Sequence, residues 1–252
     1  DYLTQNIFDP KEDKSLTVFT YMLRGLTHAY HPSPEKVLCI GLGVGIVPMQ
    51  LAKEGSTIDV VEINPGVVEI GEKFFGLDKS EFNLHLEDGR YFLNASKEEY
   101  DVVILDAFLG DSSPSHLMSR ECFESMNQRM KTDAVLVINA FGHFSEGEDF
   151  FMASLDKTLR AVFKSVHIHD GTRGNVFFVA SKKEGLEPHR SMDMSEVHPK
   201  LIPFVETAWK NTIEANPESG IILTDNYNPV EYYDSKIREE IRLNFALNMR
   251  GK

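Results

Sequence analysis

Four acidic residues follow predicted strands of this chain at positions where they could serve one ligand site. Glu62 ends one apolar run, Asp88 follows the next, and Asp106 ends a third, with Asp111 five residues further along. The carboxyl ends of parallel strands meet at one edge of a sheet, where open α/β sheets bind ligands. Each acid alone is more often a solvated loop residue or a helix N-cap. Their recurrence at three successive strand ends favours a site.

A glycine turn lies between residues 41 and 45 and supports the same interpretation. The apolar residues 37–40 precede Gly41, Gly43 and Gly45, and a helical pattern follows. Glycines let the backbone turn sharply near a ligand, and a helix N-terminus offers free N–H groups. Glu62 is placed to accept both hydroxyls of a ribose. The pattern predicts a nucleoside site; the alternative is a turn whose glycines serve only helix–strand packing.

Asp106 and Asp111 are the candidates for the chemical step. Beside a nucleoside sulfonium, a loop carboxylate can orient and deprotonate an amine, and its charge can hold a cationic ligand. Displacement at a carbon next to a sulfonium mainly requires alignment and an amine that has lost its proton. Asp88 is suited to bind an adenine amino group.

Other chemistries have weaker support. His167 and His169 lie on one face of a predicted strand, but no third ligand has suitable spacing, so we expect no metal. Ser112, Ser113 and His116 lack the context of a hydrolase nucleophile. The glycine turn is not the phosphate-binding loop of an NTPase.

The elements that position these acids alternate along the chain. We expect strands at 37–41, 58–63, 82–86, 101–106, 134–140, 165–169 and 175–181, with helices at 45–54, 65–75, 89–95, 118–130 and 148–163. This alternation predicts an α/β fold with a mostly parallel seven-stranded sheet, helices on both faces and an antiparallel closing hairpin. Such a hairpin is typical of the Rossmann-like class I S-adenosylmethionine-dependent methyltransferase fold.

We expect three segments. Residues 1–30 form a small N-terminal β/helix element, in which 1–8 is the last strand of a hairpin and 16–30 is a helix. Residues 31–181 form the nucleoside-binding domain. Residues 182–252 form a linker and a C-terminal helical appendage, with helices near 199–216 and 229–248.

Composition limits the partners. The 252 residues carry a net charge of −13, so the average surface repels nucleic acid and anionic lipid, and no apolar run is long enough to cross a membrane. Cys39 and Cys122 form no redox motif and are expected to be reduced core thiols, which suits a cytoplasmic location. The chain begins with Asp1 rather than Met, so we expect that an upstream segment has been removed or left out.

Several motifs together resemble the spermidine synthase-like family of polyamine aminopropyltransferases. They are Asp1-x-x-x-Gln5, His31-Pro-x-Pro-x-Lys36-Val-Leu, Val61-Glu62-Ile63-Asn64-Pro65, Asp88-Gly89-Arg90 and the run from Tyr100 to Asp106. The resemblance covers residues 1–181. It implies that Gln5, Glu62, Asp88 with Gly89, and Asp106 surround the adenosine and propylamine parts of a sulfonium nucleoside, with an acid in the 106–111 loop as base.

The sequence also departs from that family. True spermidine synthases carry GGGDGG, and the resemblance assigns its Asp to the ammonium of the decarboxylated nucleoside; this chain has Val44 at that position. The acidic loop after Asp106 is longer than the family's DxxDP. The stretch 223–231, LTDNYNPVE, is similar to the end of members fused to membrane-spanning domains.

The leading interpretation is aminopropyl transfer from decarboxylated S-adenosylmethionine to a diamine such as putrescine. A second enzyme would use intact S-adenosylmethionine, either to methylate an acceptor or to cleave the cofactor intramolecularly, and Val44 favours it. A third interpretation is a non-catalytic nucleoside-sensing domain of a larger membrane protein, with residues 225–231 serving contacts. The expected partners are an amine acceptor and no nucleic acid. A homodimer and an upstream membrane domain in the full chain stay open, without membrane insertion of this segment.

Overall fold

The computed structural model describes residues 6–108, 113–144, 149–171, 174–216, 218–233 and 235. Its strands are β1 (Phe8–Asp9), β2 (Lys14–Ser15), β3 (Lys36–Ile40), β4 (Thr57–Glu62), β5 (Asn83–Leu86), β6 (Tyr100–Leu105), β7 (Met130–Phe141), β8 (Ser165–Asp170), β9 (Asn175–Ser181) and β10 (Thr212–Ile213). Its helices are α1 (Val18–Tyr30), α2 (Ile46–Lys53), α3 (Pro65–Phe74), α4 (Gly89–Ala95), α5 (Arg120–Gln128), α6 (Phe150–Arg160) and α7 (Ile202–Lys210).

The central sheet has the strand order β10-β8-β9-β7-β6-β3-β4-β5. From β5 to β7 all pairings are parallel, and the buried strands β3 and β6 are apolar on both faces because helices cover both. The register aligns the strand ends, since Ile40 pairs with both Val61 and Leu105. The carboxyl ends of β3, β4, β5 and β6 therefore lie at one edge.

The other side of the sheet is antiparallel. Strand β9 runs antiparallel to both β7 and β8, which confirms the predicted closing hairpin. The sequence predicted seven strands, and the structure adds an eighth, β10, which pairs with β8. The predicted helix 199–216 is therefore wrong at its end, because α7 stops at Lys210 and the next residues join the sheet.

Two hydrophobic clusters lie on opposite faces of the sheet. Helices α4, α5 and α6 pack on one face, around Phe123 and Leu155, and helices α1, α2 and α7 pack on the other, around Leu23 and Val205. Cys39 and Cys122 are both buried free thiols, as predicted.

Two peripheral segments differ from expectation. Strand β1 pairs with β2, which follows it, so residues 8–9 begin a hairpin that the sequence interpreted as ending near residue 8. The segment predicted as a linker packs on the core beside α1, where Leu186, Met192 and Val197 are buried.

Of the helix predicted at 229–248, only the first turn falls within the described residues. No helix in the described ranges is both long and apolar enough to cross a membrane.

Candidate active site

The glycine turn and the end of β6 meet at the carboxyl edge of the sheet. The backbone N–H of Asp106 donates to the carbonyl of Ile40 at 3.0 Å, and that of Gly41 donates to Val61 at 2.8 Å. A side chain at position 41 would place its Cβ 2.2 Å from the carbonyl oxygen of Asp106, and the φ of Gly41 is +98°. Only glycine fits this close approach without strain.

The carboxylate of Glu62 joins the glycine turn to the end of β4. One oxygen accepts from the backbone N–H of Leu42 at 3.0 Å, and the other accepts from that of Asn64 at 2.8 Å. Gly43 and Gly45, the next two glycines of the turn, also have positive φ values. Glu62 is 8% exposed, so two backbone donors fix a largely buried carboxylate with further lone pairs for a ligand.

Asp88 has both a capping role and a side-chain partner. It is the N-cap of α4, where its side chain accepts from the N–H of Tyr91 at 2.9 Å, and its other oxygen lies 2.9 Å from Nε2 of His116. Burial acts to raise the pKa of this carboxyl, but the bonds from Tyr91 and His116 outweigh it and hold the pKa below its usual value. Asp88 is therefore a fixed anion at the end of β5. Gly89, the first residue of α4, packs against Ile40.

Asp106 differs from the other acids because its pKa is raised. Burial raises the pKa from 3.8 to about 6, although the hydrogen bond from Asn139 acts in the opposite direction. That bond runs from the Asn139 amide nitrogen to Oδ1 of Asp106 at 2.9 Å. A carboxyl with a pKa near 6 is poised to accept a proton at neutral pH.

Asn139 is a residue that reasoning from the sequence missed. It lies on β7 beside β6 and is 1% exposed, and its side-chain oxygen accepts from the amide of Asn175 on β9 at 2.9 Å. The chain of bonds from Asn175 through Asn139 to Asp106 fixes the orientation of each amide. An available signal was a single polar residue near the end of the apolar run 134–140.

The structure brings Gly41, Gly43, Glu62, Asp88 and Asp106 to one edge. Gln5 and Asp111 lie outside the described residues, and their predicted roles stay predictions. Among the described residues, no group of three or more His, Cys, Asp or Glu side chains could hold a metal ion.

Two cavities of about 450 and 650 Å³ open elsewhere on the described surface. The smaller one lies near Asp59 and His85, and the larger one lies near Tyr30 and Trp209. We assign the candidate site from the strand ends, because Glu62, Asp88 and Asp106 lie together at the edge where open α/β sheets bind ligands, and burial raises the pKa of Asp106.

The sheet order and the antiparallel hairpin of β8 and β9 give the chain a Rossmann-like fold of the methyltransferase type. Comparison with known proteins makes this more specific. The family model of the spermine/spermidine synthase domain matches residues 17–170. The chain therefore belongs to the spermine/spermidine synthase family.

Individual relatives agree with this assignment. A polyamine aminopropyltransferase of Vibrio vulnificus is 31% identical over 236 residues, which cover 88% of this chain and 77% of the relative. A polyamine aminopropyltransferase of Streptococcus pneumoniae is 27% identical over 179 residues, which cover 66% of this chain and 63% of the relative. The spermidine synthase of Thermotoga maritima has a TM-score of 0.58 and 22% identity, and the match covers 81% of this chain and 71% of that one, so it shows the fold. The predicted family, fold and transferase class are confirmed.

Proposed function

We propose that this protein transfers an aminopropyl group from decarboxylated S-adenosylmethionine to a diamine such as putrescine. The amine nitrogen attacks the propyl carbon next to the sulfonium, the C–S bond breaks, and methylthioadenosine leaves with the bonding electrons. The proton lost by the amine goes to a carboxylate. Family membership and the named activity of the relatives support this proposal.

The observation that carries the proposal is the raised pKa of Asp106 at the edge where Gly41 approaches it. At neutral pH an acid with a pKa of about 6 is mostly ionised, and it is a stronger base than an ordinary Asp. A carboxylate at this point can also hold the cationic amine before it reacts. Asp111, from the sequence, is the second candidate for the base.

The binding roles follow from the other strand ends. Glu62, held by two backbone donors, is our candidate for the ribose hydroxyls, and Asp88 is our candidate for the adenine amino group. The exposed side chain of Ile63, which follows Glu62, offers an apolar surface for the adenine ring. At the turn, Gly43 leaves room for the ligand, because a Cβ there would have only the Asn6 side chain within 4 Å, at 3.7 Å.

Val44 supports a second candidate function. Because the turn from Gly41 to Gly45 contains no acid, it lacks the carboxylate that would bind the ammonium of the decarboxylated nucleoside. An enzyme with this turn could use intact S-adenosylmethionine instead. The choice between the two nucleosides is therefore the first question for experiment.

Calorimetric titration with S-adenosylmethionine, decarboxylated S-adenosylmethionine and methylthioadenosine tests both candidates, followed by turnover assays with putrescine. We expect the decarboxylated form to bind more tightly than the intact form and to yield methylthioadenosine and a longer amine. Preference for intact S-adenosylmethionine, without turnover of the decarboxylated form, would overturn the proposal in favour of the second candidate. Binding of all three without any turnover would favour a sensing domain.

Three further expectations extend the proposal. We infer that the reaction takes place in the cytoplasm, that the chain can form a homodimer, and that a membrane domain precedes it in the full protein. The similarity of residues 223–231 to membrane-fused members supports the last of these.

A further inference from the structure

The segment 220–231, which we name the strap, is anchored to α6. Its backbone N–H groups at Ile221 and Leu223 donate to the hydroxyls of Ser154 and Thr158 at 3.0 and 2.8 Å. Gly220 has a φ of +73°, and a Cβ there would lie 2.4 Å from the backbone nitrogen of Ser154. The strap therefore begins from a fixed point on the helix layer.

From α6 the strap crosses to the start of α5 and to the short helical turn before it. The carboxylate of Asp225 accepts from both terminal nitrogens of Arg90, one of them at 2.7 Å, and from the hydroxyl of Ser119 at 2.6 Å. Asn228 donates to the carbonyl of Ser115 at 2.7 Å. A bidentate Arg–carboxylate pair fixes geometry as well as adding energy.

These contacts continue to the candidate nucleoside site. Arg90 also donates to the carbonyl of His116 at 3.3 Å, and the ring of His116 lies 2.9 Å from the Asp88 carboxylate. Arg90 itself is two residues beyond Asp88 on α4. One continuous set of hydrogen bonds thus runs from Asp225 through Arg90 and His116 to Asp88.

We propose that Asp225 is a positioning residue for nucleoside binding, which sets the placement of Asp88 by holding Arg90 and His116. The strap comes from the far end of the chain, 135 residues from Arg90 in sequence, so this edge of the site is complete only when the strap is in place. The inference rests on the proposed function, because it assigns Asp88 to the nucleoside. It does not depend on which amine is the acceptor.

A carboxylate is required at position 225 because of what surrounds it. Ser119 is fully buried, and Arg90 presents two donors in a fixed plane. An alanine would leave these donors without their acceptor. The His116 carbonyl would then lose a fixed partner, and the His116 ring would no longer be held against Asp88. Asparagine keeps one acceptor for Ser119 but cannot accept from both nitrogens of Arg90.

The test measures the Kd of methylthioadenosine by calorimetry for Asp225→Ala and Asp225→Asn. We expect Asp225→Ala to weaken binding by roughly 5- to 30-fold and Asp225→Asn to weaken it less. Glu54→Ala is the matched control, because Glu54 also binds an arginine, Arg24, but at the C-terminal end of α2, on the opposite face of the sheet from the strap. This variant should keep the Kd of the wild type.

A double-mutant cycle separates positioning from general destabilisation. If Asp225 acts through His116, Asp225→Ala should have a clearly smaller effect on the Kd when His116→Ala is already present. If the two substitutions act independently, so that their fold-changes in Kd multiply in the double variant, the inference is overturned. An unchanged Kd in Asp225→Ala would overturn it as well. If Asp225→Ala does not fold, the same cycle is run with Asp225→Asn. Wild-type protein that binds no methylthioadenosine would instead overturn the proposed function, and this inference with it.

Discussion

Asp106 and His169 are both titratable groups with strongly shifted pKa values, but their surroundings differ. At the parallel edge, the described residues provide Asp106 with one side-chain hydrogen bond, from Asn139. In the antiparallel half, both ring nitrogens of His169 are paired, one with the hydroxyl of Tyr30 at 3.1 Å and one with the carbonyl of Trp209 at 3.0 Å. The ring also stacks on that of Trp209, with 5.2 Å between the ring centroids and 10° between the ring planes.

The comparison shows that burial alone does not identify a functional group. Burial lowers the pKa of His169 to about 4, so this side chain is neutral, and its donor and acceptor are both used within the protein. The pKa of Asp106 is shifted toward the working pH, and the group lies at the edge where parallel strands end. His169 and Trp209 therefore stabilise the junction of β8 with α7, whereas Asp106 is available for chemistry.

The largest expected effect comes from Asp106→Asn. Since asparagine keeps the shape but cannot accept the amine's proton, turnover should fall by roughly 100- to 10,000-fold while the Kd of methylthioadenosine changes little. Steady-state kinetics and calorimetry measure the two quantities. Asp101→Asn is the control, because Asp101 lies at the start of β6, the strand that Asp106 follows, and binds Lys131 and the backbone of Lys36 there.

The control should lose stability but retain its turnover. Normal turnover in Asp106→Asn would remove Asp106 as the base. Parallel measurement of Asp111→Asn, which the sequence predicts to abolish turnover with nucleoside binding nearly intact, would then decide whether the longer loop supplies the base instead.

The next effect concerns stability rather than turnover. In the unfolded chain His169 titrates near 6.5, but in the folded protein it titrates near 4, so the unfolded state binds more protons between these values. The contribution of His169 to the free energy of unfolding, about 3 kcal/mol, is present above about pH 6.5 and is lost as the pH falls toward 4. Chemical denaturation of wild type and His169→Gln from pH 7.5 to 4 measures this difference.

Glutamine does not titrate, so the stability of His169→Gln should depend less on pH than that of the wild type, and its kcat should be unchanged at pH 7.5. Equal slopes in the two proteins would show that His169 does not carry this dependence. Loss of kcat would contradict the structural role that we assign to the antiparallel half.

A smaller effect is expected at Glu62. If its carboxylate binds both ribose hydroxyls, Glu62→Ala should weaken methylthioadenosine binding by about 1.5–3 kcal/mol, roughly 10- to 100-fold. Calorimetry measures the change, and Glu72→Ala on α3, which removes an exposed pair with Lys79, is the control. An unchanged Kd for Glu62→Ala would place the nucleoside elsewhere.

The parallel half was the more predictable part of the molecule. Its signals are local, because each apolar run is followed by a glycine turn or an acid and then by a helical pattern, as at residues 37–45 and 102–106. Family motifs around Glu62 and Asp88 added specificity. The positions of these acids at one edge then followed from parallel pairing alone.

The remaining features depend on contacts between distant residues. The bond from Asn139 to Asp106 and the pairing of Asp225 with Arg90 join residues 33 and 135 positions apart, which no local pattern reports. Strand β10 has only two residues and forms because its backbone pairs with β8, so its own sequence carries no strand signal. Asp88 shows a further limit of prediction from the sequence. It is the N-cap of α4, which was the alternative interpretation of each acid, and it also lies at the predicted edge of the sheet.

The smallest predicted effect tests how Asn139 adjusts Asp106. A hydrogen bond to the ionised carboxylate lowers its pKa, so removing the bond with Asn139→Leu should move the pKa further above about 6. The acid limb of the kcat/KM profile, which reports the free enzyme, should then move to higher pH. At pH 6 activity should fall by about two- to fivefold, and at pH 8, where Asp106 is ionised in both proteins, it should change little. Asn175→Ala should produce a smaller shift in the same direction, because it loosens Asn139 without removing the bond to Asp106. If the acid limb of Asn139→Leu lies at the same pH as that of the wild type, the limb reports the titration of a group other than Asp106.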